Sequence, residues 1–65
     1  MPLQEVEDIV LAQFAHQKKW RPSALIDQVI GQYADVDEAL IKQAVRHLMN
    51  LNRLDFAMDL SLVQK

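Results

Sequence analysis

The chain has no cysteine and a single glycine among its 65 residues. Without thiols there is neither a disulfide framework nor a thiolate metal site, so buried apolar side chains must supply nearly all of the stability. One glycine cannot build a phosphate-cradling loop. No apolar run approaches the roughly 18 residues of a membrane span. The first residues, Met-Pro-Leu-Gln-Glu, lack the basic start and apolar core of a secretion signal. A soluble, cytoplasmic protein is expected. Catalytic groupings are missing too. Ser23 and Ser61 have no base at a recognisable spacing. His16 and His47 have no second His, no Cys and no carboxylate three or four residues on. The expectation is therefore no enzyme, no cofactor and no metal.

What the chain does have is 51% hydrophobic residues and a formal net charge of −2. That content is enough for one small core, and residues 1–65 read as a single domain. A net-acidic chain argues against nucleic acid until the charges are located. Glu5, Glu7 and Asp8 crowd the start of the first helical pattern, and Asp35, Asp37 and Glu38 crowd the start of the last. There they complement the helix dipoles. The cations fall elsewhere. Lys18, Lys19 and Arg21 cluster after the first pattern, whereas Lys42, Arg46 and Arg53 belong to the third. An acidic chain can thus present a basic face.

Periodicity orders the elements. Leu3, Val6, Val10 and Phe14 recur at helical spacing, predicting a first helix over about 3–19. Trp20-Arg21-Pro22 breaks it into a linker or a one-bridge strand, because proline drives the residue before it to extended geometry. The lone Trp of so small a domain is expected to pack on the core. Ser23 is a natural N-cap for a second helix over about 24–33, carried by Leu25, Ile26, Val29, Ile30 and Tyr33. Gly31 within it implies either close approach of a neighbouring helix or an early stop. Asp35 and Glu38 stand at capping-box spacing and open a third helix over about 36–51. Only Tyr33 and Ala34 then separate it from the second, a connection tight enough to force a steep crossing. Leu40, Ile41, Ala44, Val45, Leu48 and Leu51 form its apolar stripe, and Asn52 suits the left-handed residue that ends it. Beyond it the period drops to 2: Leu54, Phe56, Met58, Leu60 and Leu62 alternate with Asp55, Ala57, Asp59 and Ser61. This predicts a hairpin over about 53–64, turning around Met58 to Leu60.

The expected fold class is mainly α with a small β-hairpin (α+β). Its order, and the run Leu48-Met-Asn-Leu-Asn-Arg-Leu54-Asp-Phe56 at the helix–hairpin junction, resemble the winged helix-turn-helix superfamily. Asn52 stands where that superfamily commonly has glycine, and Trp20-Arg21-Pro22 matches its short first strand. The resemblance implies a third helix that enters the DNA major groove. The matching positions are Lys42, Gln43, Arg46 and Asn50, with Arg53 at the helix exit. Arg pairs with guanine, Gln and Asn pair with adenine, and Lys neutralises phosphate. The hairpin departs from the superfamily pattern: it is short and carries Asp59 near its tip, where a cation is usual. The leading expectation is a small DNA-binding or transcription-regulating module, with double-stranded DNA as its partner and dimeric. The alternative is a protein-interaction domain. Its partner, or a second copy of the chain, would meet the apolar residues of the C-terminal hairpin.

Overall fold

The computed structural model describes residues 2–65. Three helices and three short strands follow one another in the order α1 (Leu3–Gln13), β1 (Lys19–Trp20), α2 (Pro22–Gln32), α3 (Glu38–Asn50), β2 (Leu54–Phe56) and β3 (Leu62–Gln64). The architecture is α+β, a layout compatible with a winged helix. Among the described residues no helix is long and apolar enough to cross a membrane.

Each helix commits one face to a shared core. Val6, Val10 and Phe14 come from α1, Leu25, Ile26 and Val29 from α2, and Ile41, Ala44 and Leu48 from α3. The sheet closes the remaining side with Trp20, Leu54 and Leu62. β3 lies between the other two strands and is antiparallel to both, with Trp20 opposite Leu62 and Phe56 opposite Leu62 on its two edges. The first strand is thus a two-residue pairing, slightly longer than the single bridge expected.

Several boundaries move, each for a tertiary reason. α1 stops at Gln13, five or six residues short of the expected end. The indole Nε1 of Trp20 donates to the Gln13 carbonyl at 3.0 Å, and Phe14 to His16 leave the helix through turn hydrogen bonds. The chain reverses there so that Trp20 can reach the core. α2 begins at Pro22, with Arg21 as an extended N-cap that supplies no side-chain cap. Ser23 therefore sits inside the first turn and does not cap it, because proline, lacking an N–H, fits the first helical position.

The capping residue of α3 is Asp37, not Asp35. Its Oδ1 accepts from the Leu40 N–H at 2.8 Å. Val36 decides the register: it is buried in the core, Asp37 after it is extended, and α3 starts two residues beyond the predicted start. The connection from α2 is therefore Tyr33 to Asp37, longer than the two residues expected. Asn52 behaves as read. With φ at 61°, it ends α3 in a Schellman turn, the Asn52 N–H bonding Met49 O at 3.0 Å and the Arg53 N–H bonding Leu48 O at 2.9 Å.

Gly31 lies inside α2 with negative φ, and a Cβ added there would meet nothing within 4 Å. Close helix approach is excluded as its explanation; the helix ends one residue later. Gly31→Ala is expected to raise stability by about 0.5–1 kcal/mol, since only backbone entropy changes. Urea denaturation checks it, and a loss of stability would mean that the α2 terminus is not helical.

Candidate nucleic-acid interface

α3 is gripped by the core along Ile41, Ala44 and Leu48, and its opposite side faces solvent. Lys42, Gln43, Arg46 and Asn50 are all exposed on that side. At about 100° per residue, the four fall within an arc of roughly 100°. Lys42, Arg46 and Asn50 form one wall of a groove of about 420 Å³. Ile26, Met49 and Phe56 contribute an apolar floor. Gln43 lies further round the helix, outside the groove. Arg53 is not with them. Once the chain turns at Asn52, Arg53 lines a different hollow, beside Leu3 and Asp8 of α1. The predicted five residues therefore divide into four on one face and one on another.

Charge along α3 is graded. The leading end carries Asp35, Asp37 and Glu38; Glu38 reaches Lys42 at 3.9 Å, with both side chains more than 60% exposed. A pair so solvated contributes at most about 1 kcal/mol and leaves Lys42 free to exchange partners. Arg46 makes no ion pair among the described residues. Across the groove stands the N-terminus of α2, where Pro22 and Ile26 line the same walls. Arg21 and Ser23 border an adjoining hollow with Phe56 and Leu60. Arg21 is thus a third cation near this face. Sequence reasoning grouped it with Lys18 and Lys19 and missed its place beside the third helix.

The hairpin contributes apolar surface here. Leu54 and Leu62 are buried, but Phe56 and Leu60 are exposed and Met58 is wholly so. The period-2 pattern therefore does not mark one buried face along the whole hairpin: only its base packs on the helices. The tip is closed by Ala57 N–H to Ser61 O at 2.7 Å and Leu60 N–H to Ala57 O at 3.0 Å. Leu60 takes φ of 67°, a left-handed conformation costly for a leucine, roughly 1–2 kcal/mol.

Asp59 Oδ1 accepts from the Ser61 N–H at 3.1 Å. That backbone bond, with a smaller contribution from Lys19, holds the Asp59 carboxyl below its ordinary 3.8. A carboxyl depressed in the folded state adds stability above its ordinary value, and this is lost as pH falls through the folded value. The Ser61 and Leu60 amides are expected to shift below pH 3.8 before the helices melt. Asp59→Asn should abolish that early step in an NMR pH titration.

One further contact on α3 escaped the sequence. His47 Nδ1 lies 2.7 Å from Glu7 Oε2 and 3.1 Å from Oε1. A carboxylate only accepts, so the imidazole donates from Nδ1. Glu7 is 8% exposed, a buried strut between α1 and α3; of the three acids expected at the helix start to complement its dipole, only Glu5 lies in the first turn. No local pattern signals a pair separated by 40 residues.

The chain matches no protein-family model, no curated protein and no solved structure.

Proposed function

We propose that this chain is a small winged-helix DNA-binding module that reads duplex DNA with α3. One observation carries the reading: Lys42, Gln43, Arg46 and Asn50 share one uncovered arc of a helix whose other side is fixed in the core. In this reading Arg46, Gln43 and Asn50 meet base edges, and Lys42 meets phosphate. Arg21 and the unbonded Ser23 and Ala24 N–H groups at the start of α2 supply a second phosphate contact. Arg53 has no part in it, since it lines the α1 side.

A second reading, a protein-interaction domain without DNA binding, draws on a different observation. The groove beside α3 has an apolar floor, and the hairpin tip offers Met58 and Leu60 around Asp59 where a DNA-contacting wing would carry cations. Salt separates the two, because counterion release makes DNA affinity fall steeply as salt rises. The test is an amide NMR titration with random duplex DNA at low and then moderate salt. Shifts confined to residues 42–50 and the start of α2, reversed by salt, are expected. Absence of shifts at low salt would discard the DNA reading and leave the apolar groove as the surface to probe with protein.

A further inference from the structure

On the far side of α3 from this face, a hollow of about 460 Å³ separates its C-terminal turn from α1. Leu3 and Leu11 are only partly buried there, and Leu51, counted in the predicted core stripe, is 52% exposed. The leucines are flanked by charges of opposite sign on opposite walls: Asp8 on α1 and Arg53 beyond α3. Neither residue makes an ion pair among the described residues. Glu7 and His47 line the same hollow but are paired with each other across α1 and α3, which leaves Asp8 and Arg53 as its unpaired charges among the described residues.

An apolar seam with an acid on one wall and a cation on the other is complementary to itself after a two-fold rotation. We infer that two copies of this chain associate through the α1–α3 face as an isologous dimer. Asp8 of each copy pairs with Arg53 of the other, around Leu3, Leu11 and Leu51. A second copy suits this surface better than an unrelated partner, because both halves of the charge match are present in one chain. A 65-residue domain without disulfides also gains most from burying its leftover leucines in this way. Lys42, Arg46 and Asn50 line the other groove, so the association leaves them uncovered. The inference does not rest on DNA binding, and it moves the dimer contact away from the hairpin, where the sequence placed it.

Analytical ultracentrifugation of the full chain without DNA is the test, with circular dichroism confirming that each variant is folded. Wild type is expected to form a dimer at micromolar to millimolar concentration. Arg53→Glu and Asp8→Lys should each weaken it by about tenfold or more. An equimolar mixture of these two variants should associate again, because each mixed pair restores both contacts. Leu51→Asn, at an exposed position, should weaken the dimer without charge change and serves if a charge swap disturbs folding. A wild-type monomer up to about 1 mM would overturn the proposal. So would a dimer indifferent to all three variants, which would place the contact elsewhere, with the Met58–Leu60 tip next in line.

Discussion

Trp20→Ala is expected to abolish the cooperative fold. The indole is 9% exposed and lies where the end of α1 meets the sheet. It fills the core beside Leu62's strand, and its Nε1 adds a second hydrogen bond to the Gln13 carbonyl, which also accepts from the His16 N–H where α1 stops. Truncating a buried tryptophan costs about 3–5 kcal/mol. A single core below about 70 residues rarely supplies more than about 3–5 kcal/mol in total. The two magnitudes are equal, so little or nothing remains to hold the native state. Far-UV circular dichroism at 25 °C should show a large loss of helix, and urea titration should show no cooperative transition.

Trp20→Phe is a milder truncation. It keeps an aromatic ring in the core but removes the donor and part of the buried ring volume, so a loss of about 1–3 kcal/mol, smaller than for alanine, is expected. If Trp20→Ala unfolded with a midpoint close to wild type, the sheet would not be anchored to α1 through this side chain. The early end of α1 would then need another cause.

Local chemistry was legible, and distant packing was not. Asn52 was readable because a left-handed residue after an apolar stripe has few suitable side chains, and the Schellman turn follows from the backbone alone. The solvent-facing arc of α3 was readable for a similar reason, since the 3.6-residue period fixes which residues share a side. The cap of α3 was not. Asp35 and Asp37 are both competent N-caps, and the choice between them was made by Val36 entering the core. Likewise, nothing near Gln13 announces a helix end; the cause is a tryptophan seven residues on that needs the chain to reverse. Arg53 shows how a correct period can mislead. Extended past Asn50, the helical count keeps Arg53 on the arc of Lys42, Arg46 and Asn50, but the turn at Asn52 carries it to the wall facing α1. The Glu7–His47 strut had no sequence signal at all, since its partners meet only after α1 has packed on α3.

Arg46→Ala is expected to weaken sequence-specific DNA binding by about 1–3 kcal/mol, roughly 5- to 150-fold, while changing the melting temperature little. The thermal expectation follows from exposure: Arg46 is solvent-facing and makes no ion pair among the described residues, so folding loses almost nothing when it is truncated. The binding expectation follows from chemistry, because a guanidinium presents two donors to one guanine edge and alanine presents none. Lys42→Ala should behave differently. A phosphate contact carries no base preference, so affinity should fall by similar factors on specific and random duplexes, and the slope of log affinity against log salt should shrink by about one. Fluorescence anisotropy with a selected site and a random duplex, at several salt concentrations, measures both quantities. Should Arg46→Ala bind both duplexes as wild type does, α3 would lie outside the interface. The apolar floor of Ile26, Met49 and Phe56 would then define what the groove accepts.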